Sequence, residues 1–499
     1  MDNNRIVTDE ALHQASRAFF ADRANRVAEH AVTAKGIRAV ARVPEAAARN
    51  TTTFDVEVKQ GDRTDQKRSG RCWMFASLNT MRTRVMKKYG LKNFELSQAY
   101  PLFWDKLEKS NWFLENIIDT ADESRDGRLV QFLLTDPVGD GGQWDMFRAL
   151  VKKYGVVPKE AMPETACSSN TREMDTYLTR YLRKCAKDLR DAHEAGKTDD
   201  QLRQMKGQYL ENVYKLLVMC LGEPPKTFQV RLRGAGAEPG AAPADSSVAA
   251  SAAEPSAAGQ GADASEGADA ESAADADPAC DTPDADNKLV LAGTFTPQQF
   301  FEQVVDMPID DYVSIISAPT ADKPFGKTYT VSRLGNVVEA GGVRYLNLPP
   351  ADLKAAAIKQ LKDDLPVWFG CDVGQSYIQD EGLMDLDSLD VDTLFGFDVE
   401  AGFDKAARLD FGESLMTHAM VLEGVNFDET GAPTLWKVEN SWGKDHGKNG
   451  FDSIADSWFD EYVYQVVVNK KYLTEDQREA YESIEPIVLA PWDPMGALA

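Results

Sequence analysis

The distribution of apolar residues changes along the chain from helical spacing to strand-like runs. Between Cys72 and Gly90, apolar positions recur every three or four residues, which predicts a helix that begins near Cys72 and stops at Gly90. Two amphipathic stripes within 171–221 predict a pair of long helices joined by the turn at Gly196. Charged residues occupy the opposite faces of both stripes, so we expect the apolar faces to pack in a core.

The second half of the chain contains short runs rich in β-branched and aromatic residues, which predict strands. These runs are 311–316, 343–348, 366–373, 418–425, 435–440 and 462–468. Helices first and strands later are typical of an α+β fold, and we expect two lobes that meet at a cleft.

One segment differs in composition from the rest. Between Gly234 and Asn287 the chain consists mainly of Ala, Gly, Ser, Pro, Asp and Glu, with 12 acidic residues and no Lys or Arg. Such a sequence buries too little apolar surface to offset the entropy lost on ordering, so we predict a disordered acidic insert in a surface loop. A simple loop expansion is favoured over a recruitment tail.

Composition limits the partners and the compartment. The 499 residues carry a formal net charge of −25, and an acidic surface repels phosphate backbones, which disfavours nucleic-acid binding. No run approaches the ~20 apolar residues of a membrane span, and the N-terminus has no secretory signal pattern. The six cysteines are far apart without a C-x-x-C pair, which favours free thiols over disulfides or a zinc site. We therefore expect a cytoplasmic protein without membrane contact.

One cysteine, Cys72, lies where the loop that starts at Gln66 meets the predicted helix. A thiol at a helix N-terminus sits against unpaired backbone N–H groups and the positive end of the helix dipole, which favours the reactive thiolate. Alone, such a cysteine is more often a small core hydrophobe. A catalytic role therefore requires a base and an orienting group elsewhere in the chain.

The candidate base is His418, because it alone among the five histidines starts a hydrophobic strand. His13, His30 and His193 lie in polar helical surroundings, and His446 lies in a polar loop. From its position alone, His418 is more often a hydrogen-bonded core histidine than a catalytic base.

Asn440 follows His418 by 22 residues, at the end of the next predicted strand. An asparagine carbonyl that accepts from the imidazole fixes the ring without adding a second negative charge, and Trp442 could fold over this contact and exclude water. Gln66 lies six residues before Cys72, and its amide could join the Cys72 backbone N–H in a two-donor oxyanion hole.

Three blocks together resemble the papain-type Cys-His-Asn signature: Gln66…Gly70-Arg-Cys-Trp73, Thr417-His-Ala419 and Glu439-Asn-Ser-Trp-Gly443. Further blocks resemble the bleomycin hydrolase and aminopeptidase C family: Glu95-Leu-Ser-Gln98, Phe103-Trp-Asp-Lys106, Asp140-Gly-Gly-Gln-Trp-Asp-Met146, Val367-Trp-Phe-Gly-Cys-Asp-Val373 and the tail 490–499. The resemblance covers nearly the whole chain except 234–287.

The resemblance implies a papain-like two-lobed fold, with a helical lobe, a β-barrel-like lobe and helical insertions. It implies acyl transfer through a thioester, without a metal or an organic cofactor, from a thiolate whose pKa is depressed. The roles it implies are Cys72 as nucleophile, His418 as general base and acid, Asn440 as orienting group, Gln66 as oxyanion donor, and Trp73 and Trp442 as supporting residues.

The tail has two interpretations. Pro491, Pro494 and Gly496 deny a helix, so the segment is extended, and from its residues alone the end could fray. The resemblance implies instead that this arm lies in the active-site cleft, where the carboxylate of Ala499 receives the α-ammonium of the substrate. It further implies peptide substrates with free N-termini, release of single N-terminal residues with broad specificity, and a homohexamer.

We divide the chain into six segments. They are an N-terminal helical arm that packs on the body (1–60), a helical lobe with the nucleophile (61–165), a helical hairpin insertion (166–232), the disordered acidic insert (233–288), a β-rich lobe with His418 and Asn440 (289–489), and the C-terminal arm (490–499). In the first segment, Leu12, Ala15 and Phe19 form the face expected to pack on the body.

Two alternatives remain open at this stage. The same triad could serve a cysteine endopeptidase or an acyltransferase, which would cut N-blocked peptides or favour amines over water. The chain could instead be a non-catalytic nucleic-acid-binding or scaffold protein with a vestigial site. The net charge of −25 and the complete Cys-His-Asn-Gln set argue against the second alternative.

Overall fold

The structure, a computed structural model, describes residues 6–236 and 287–498. The helices in these ranges are α1 (Asp9–Ala21), α2 (Arg23–Lys35), α3 (Ile37–Ala41), α4 (Pro44–Ala48), α5 (Cys72–Tyr89), α6 (Ala99–Asp119), α7 (Arg128–Thr135), α8 (Trp144–Tyr154), α9 (Ala166–Ser169), α10 (Arg172–Glu194), α11 (Asp199–Leu221), α12 (Pro297–Phe300), α13 (Pro350–Lys362), α14 (Val391–Phe395), α15 (Lys405–Asp410), α16 (Asp456–Tyr462) and α17 (Glu475–Ser483). The strands are β1 (Val56–Glu57), β2 (Phe228–Gly234), β3 (Lys288–Phe295), β4 (Tyr312–Ile316), β5 (Thr328–Val331), β6 (Tyr345–Asn347), β7 (Val367–Cys371), β8 (Tyr377–Ile378), β9 (Leu383–Met384), β10 (His418–Phe427), β11 (Pro433–Glu439), β12 (Phe451–Ala455), β13 (Val463–Asn469) and β14 (Ile487–Leu489). Helices dominate the first half and strands the second, so the predicted α+β class is confirmed.

Within the described residues, twelve strands form one mixed sheet in the order β14-β5-β6-β4-β13-β7-β10-β11-β12-β9-β8, and β1 pairs with β10. All six runs predicted as strands contain a strand of this sheet. β10 pairs antiparallel with β7 on one side, where His418 is opposite Cys371, and with β11 on the other, where Val421 is opposite Glu439. The start of β10 and the end of β11 therefore lie at the same edge.

The sheet packs on both of its faces. Trp368 and Val421 belong to the apolar cluster that includes the helices from α5 to α11. Their neighbours Phe369 and Leu422 point the other way, into a second cluster with α13 and α16. This alternation follows from the two-residue period of a strand, and burial on both faces explains why these runs are continuously apolar.

The two predicted amphipathic stripes lie on α10 and α11, which are joined by the turn at Gly196. After α11, the strands β2 and β3 pair antiparallel as far as Gly234 and Lys288. The predicted disordered insert, 233–288, is wrong at its two ends, because Arg233, Gly234 and Lys288 are paired in these strands. Its residues 237–286 lie outside the described residues.

The N-terminal arm differs from the prediction in its first helix. Thr8 caps α1 by accepting the Ala11 N–H, but α1 contains no buried residue, and Leu12 is 55% exposed. The expected packing of this face on the body is therefore wrong for α1. The later part of the arm makes the contact instead: the Arg38 guanidinium donates to the carbonyl oxygens of Gly374 and Tyr377 at 2.8 and 2.9 Å.

Candidate active site

Cys72 is the first residue of α5, and its side chain is buried. The helix ends before Gly90, whose φ of +61° lies in the left-handed region that favours glycine at a helix C-terminus. Both ends agree with the predicted helix. Since α5 packs against β10 and β7, the first turn of the helix brings the thiol to the edge where His418 begins its strand.

Asp140 holds the loop that leads into Cys72. Its carboxylate accepts the Gly70 N–H at 2.7 Å, and its backbone carbonyl accepts the Trp73 indole N–H at 2.7 Å. The buried ammonium of Lys106 lies 2.7 Å from the same carboxylate. Burial raises the pKa of Asp140, but the charge of Lys106 and the hydrogen bonds outweigh it and leave that pKa well below its usual range.

Arg71, immediately before the nucleophile, is fully buried and makes a bidentate ion pair with Glu164. Its two terminal nitrogens donate to the two carboxylate oxygens at 3.1 and 2.9 Å, and its Nε donates to Ser69 Oγ at 2.8 Å. A planar guanidinium with this many fixed partners restricts the backbone that carries Cys72.

The Trp73 ring packs against the loop that contains Asp140 and Gly142. A Cβ at Gly142 would lie 2.6 Å from the Trp73 ring, so a side chain at this position would displace the indole. The carbonyl of Trp73 also accepts the indole N–H of Trp368 at 3.2 Å. Trp73, a predicted supporting residue, therefore ties the start of α5 both to the loop and to the sheet.

His418 and Asn440 are in direct contact. His418 Nε2 lies 2.9 Å from Asn440 Oδ1, and both side chains are buried. The Trp442 ring lies 4.8 Å from the imidazole, as expected for a residue that covers this contact. Because a carbonyl oxygen only accepts, Nε2 carries the proton when the ring is neutral, and Nδ1 is then the basic nitrogen.

The cysteine, the histidine and the asparagine are brought together by two backbone links. The Cys72 thiol accepts a hydrogen bond from the Ala419 N–H, one residue after His418. The Gln66 N–H donates to the Ser441 carbonyl at 2.8 Å, one residue after Asn440. The loop of the nucleophile thus lies against both strands that carry the other two residues.

Gln66 is buried, and both ends of its amide have partners. Its Oε1 accepts the Ser441 hydroxyl at 2.6 Å, and its Nε2 donates to the Ser69 carbonyl. These two contacts set the orientation of the Gln66 amide, with its NH₂ group towards Ser69 and its oxygen towards Ser441. The predicted role of Gln66 as an oxyanion donor stays a prediction.

Burial shifts both catalytic candidates towards their neutral forms. It raises the pKa of the Cys72 thiol to about 11, and the hydrogen bonds from Ala419 and Trp73 offset only part of this shift. It lowers the pKa of His418 to about 4, against the opposing effects of Asn440 and the carboxylate of Asp452. The expectation of a depressed thiol pKa is therefore wrong for this state, because desolvation exceeds the effect of the helix terminus.

The C-terminal arm is packed on the body as far as Leu498. Trp492 lies under the Arg128 guanidinium at 3.8 Å, and Asp493 pairs with the buried Lys323 at 3.0 Å. Met495 is buried, and Leu498 packs against the cluster that includes Cys72. Ala499, the predicted anchor for the substrate amine, lies outside the described residues.

Three polar residues near the site were not singled out from the sequence. Asp452, on β12, accepts the Asn440 Nδ2–H at 2.8 Å, and Tyr377 and His446 lie against the same carboxylate. The sequence did offer a signal for Asp452. This residue lies on the same face of β12 as Ile454, and positions on that buried face normally hold apolar residues. Tyr377 and His446 gave no such signal in the sequence, since their short strand and loop have no periodicity.

The described residues contain no group of three or more His, Cys, Asp or Glu side chains that could hold a metal.

Comparison with known proteins gives matches over almost the whole chain. The model of the Peptidase C1-like family matches residues 6–238 and 280–496. An aminopeptidase C of Streptococcus thermophilus is 43% identical over 471 residues, 94% of each chain. An aminopeptidase C of Lactococcus lactis subsp. cremoris is 41% identical over 493 residues, 99% of this chain and 100% of the relative. The bleomycin hydrolase of Homo sapiens is 38% identical over 442 residues, 87% of this chain and 86% of the relative.

A solved structure is also similar over the full length. The crystal structure of PepW from Lactobacillus rhamnosis HN001 superimposes with a TM-score of 0.86 at 42% identity. The match covers 99% of this chain and 100% of that one.

Proposed function

The chain belongs to the Peptidase C1-like family, and we infer from this membership and from its aminopeptidase C and bleomycin hydrolase relatives that it is a cysteine aminopeptidase with Cys72 as its nucleophile. The observation that carries the assignment of the site is the contact of 2.9 Å between His418 Nε2 and Asn440 Oδ1. This contact leaves His418 Nδ1 as the basic nitrogen, on the strand whose Ala419 N–H reaches the Cys72 thiol.

We propose that the reaction begins with transfer of the thiol proton of Cys72 to His418 Nδ1 as the sulfur attacks the first peptide carbonyl. Burial disfavours each charge by itself, but the transfer creates the thiolate and the imidazolium together, and the pair attract each other strongly where water is excluded. Asn440 keeps its hydrogen bond to Nε2 throughout, so the ring holds one orientation while it gains and loses a proton.

The oxyanion of the tetrahedral intermediate needs donors that are already in place. An amide NH₂ has two hydrogens, and Gln66 uses one for Ser69, so we assign the other to the oxyanion, together with the Cys72 backbone N–H. Collapse of the intermediate breaks the C–N bond, His418 gives its proton to the leaving amine, and the acyl group remains as a thioester. Water, deprotonated by His418, then releases the N-terminal amino acid and restores the thiol.

We propose that the C-terminal arm restricts the enzyme to one residue at a time. The ion pair of Asp493 with Lys323 and the buried side chain of Met495 support an arm that is fixed on the body. The carboxylate of Ala499 would then receive the α-ammonium of the substrate, and the arm would exclude longer acyl segments. Peptides with free N-termini are the substrates that this arrangement accepts.

The test compares two peptides of identical sequence, one with a free N-terminus and one N-acetylated. Both are given to the full-length protein and to a variant that lacks Ala499. We expect the full-length protein to cut only the free peptide, and we expect the truncated variant to discriminate less between the two. The Cys72→Ala variant is the control for contaminating peptidases.

Each other outcome identifies a competing function. Equal cleavage of both peptides by the full-length protein would make it an endopeptidase with the same site. Preferential transfer to an added amine would indicate an acyltransferase. Failure to cut either peptide would contradict the proposed activity and favour the non-catalytic alternative.

We further propose a cytoplasmic homohexamer, as in the family that the sequence resembles. No helix in the described ranges is both long and apolar enough to cross a membrane. Among the described residues, Cys167, Cys185, Cys220 and Cys371 are free thiols, which suits a reducing compartment. Exposed apolar side chains, such as Phe20 on α1 at 56% and Phe411 at 82%, offer surface for contacts between subunits, and native mass spectrometry would count those subunits.

A further inference from the structure

The carboxylate of Asp452 is buried directly behind the orienting asparagine. Asp452 is 1% exposed, and its Oδ2 accepts the Asn440 Nδ2–H at 2.8 Å. No Lys or Arg among the described residues lies within 4 Å of this carboxylate. A buried carboxylate is costly unless it is hydrogen-bonded, so the groups that surround Asp452 must compensate for its charge.

Two further donors complete the surroundings of Asp452. The Tyr377 hydroxyl donates to Oδ1 at 3.0 Å, and His446 Nε2 lies 3.4 Å from the same oxygen. His446 Nε2 also contacts the Tyr377 hydroxyl oxygen, and because that hydroxyl gives its hydrogen to Asp452, the imidazole is the donor in this contact. The backbone at Gly447, where φ is +52°, also packs closely against this carboxylate. A Cβ at this position would lie 2.7 Å from Oδ1, so the space beside the carboxylate admits only glycine.

This geometry determines the orientation of the Asn440 amide. An asparagine side chain can rotate by half a turn and exchange its oxygen and its nitrogen, which changes what it offers to each neighbour. An ionised carboxylate only accepts hydrogen bonds, so Asp452 requires the NH₂ group of Asn440 on its side. The Asn440 oxygen must then face His418, which places the imidazole proton on Nε2 and the lone pair on Nδ1.

We propose that Asp452 is a positioning residue of the cysteine peptidase: it acts through Asn440 to fix the tautomer of His418, and its charge favours the imidazolium that forms during attack. The inference rests on the proposed function, since it assigns His418 as the base. Asp452 does not touch the substrate. Tyr377 and His446 hold the carboxylate in place.

The charged and titratable groups around His418 support this assignment to Asp452. The Cys72 thiol lies against the Ala419 N–H, one residue after His418, and His446, from the loop before β12, acts on the imidazole in the opposite sense to Asp452. The carboxylate of Asp372, just after β7, is bonded instead by the hydroxyl groups of Ser414 and Thr417, at 2.9 and 3.2 Å. Asp452 is therefore the carboxylate linked to the imidazole through a continuous set of hydrogen bonds.

The principal test is Asp452→Asn, which keeps the shape of the side chain, removes the charge and no longer dictates the orientation of Asn440. We expect kcat to fall about 10- to 100-fold, the range seen when a group that orients a functional histidine is lost, while KM changes little. Loss of a nearby negative charge lowers the pKa values of the Cys72–His418 pair, so the profile of kcat/KM should also move to lower pH. Unchanged kcat and an unchanged profile would overturn the proposal.

Two controls separate positioning from general damage to the fold. Glu423→Gln removes another buried carboxyl group, on the same strand as His418 but outside these contacts, and should leave both kcat and the pH profile as in the wild type. In the background of Asn440→Ala, Asp452→Asn should cause a smaller loss of kcat than in the wild-type background, because the positioning through Asn440 is gone and only the effect of the charge remains. Additive losses would contradict an action through Asn440.

A spectroscopic measurement makes the inference independent of activity. The chain has five histidines, so ¹⁵N-labelled imidazoles can be assigned by substitution, and long-range ¹H–¹⁵N spectra report the tautomer of each. We expect His418 to be protonated at Nε2 in the wild type and to show a mixed tautomer in Asp452→Asn. The same tautomer in both proteins would overturn the inference even if the wild type proved to be an active aminopeptidase, and a wild type without activity would contradict the proposed function alone.

Discussion

Cys72 and His418 occupy a site in which burial opposes the charges that their reaction creates. Burial raises the pKa of the thiol to about 11 and lowers that of the imidazole to about 4, so it favours the neutral form of each group. A neutral thiol is a weak nucleophile and is slow to react with oxidants in solution. Asn440 and Asp452 act against this effect of burial on the imidazole, since both raise the pKa of His418.

At this scale, the change Cys72→Ser tests the nucleophile. We expect turnover to fall to background, because a serine hydroxyl with a pKa far above that of a thiol gives its proton to His418 poorly. The melting temperature and the subunit composition should stay as in the wild type, since the side chain changes by one atom. Peptide hydrolysis and thermal unfolding are the two measurements.

Cys220→Ser provides the matched control. Cys220 is a half-buried free thiol on α11, and it takes no part in the contacts described for the site. This variant should retain full activity. Turnover near the wild-type value in Cys72→Ser would remove the assignment of the nucleophile.

At the scale of elements, the local pattern was sufficient where the signal was periodic. The helix from Cys72 to Gly90, the pair α10 and α11, and the six strand runs were all predictable, since each has a long apolar period or a glycine stop. The positions of the catalytic candidates followed from their places at the ends of these elements. The exposed face of α1 was not predictable, because an apolar stripe does not specify which surface will cover it.

The hairpin of β2 and β3 leads to the prediction for the acidic insert. Gly234 pairs with Lys288, so the two strands already hold the ends of the segment together. Replacing residues 237–286 by a short glycine-containing turn should leave kcat/KM unchanged and the melting temperature unchanged or slightly higher, because a shorter loop costs less entropy to close.

Hydrolysis of the free peptide and thermal unfolding of both proteins provide the measurements. The control is a replacement of the same length by a Gly/Ser sequence without charge, which separates the effect of length from that of acidity. A large loss of stability or turnover in either variant would show that the insert contributes contacts of its own.

At the scale of the whole molecule, the sheet brings together residues that the sequence keeps apart. Asn440, Asp452 and Tyr377 meet because β11, β12, β9 and β8 are consecutive in the sheet order. The register of such pairings depends on contacts between distant segments, which one sequence does not display. The Cys-His-Asn-Gln set was accessible because its motifs are specific, whereas the network behind it required the three-dimensional arrangement.

Stability of the whole molecule should depend on pH through Glu423. This carboxyl group is fully buried, and burial followed by the charge of Glu439 raises its pKa well above the usual range. The folded protein then keeps a proton that the unfolded chain has lost. The stability from this proton is complete below the usual pKa of the group and is lost as the pH rises towards the raised pKa.

The variant Glu423→Gln removes this dependence, because its amide can donate to Glu439 without titrating. Between about pH 5 and about pH 8, we expect the melting temperature of the wild type to fall more steeply than that of the variant. Thermal unfolding of both proteins across this range is the measurement. Parallel curves would show that Glu423 does not hold a proton in the folded state.

The position of Cys72 on α5, far ahead of β10 and β11 in the chain, has a consequence for biosynthesis. During translation the nucleophile leaves the ribosome long before His418 and Asn440 are made, and the sheet that aligns them cannot close until β12 follows. An incomplete nascent chain thus carries a cysteine without its base and cannot attack the peptides emerging from neighbouring ribosomes. The order of the elements therefore delays activity until synthesis is nearly finished.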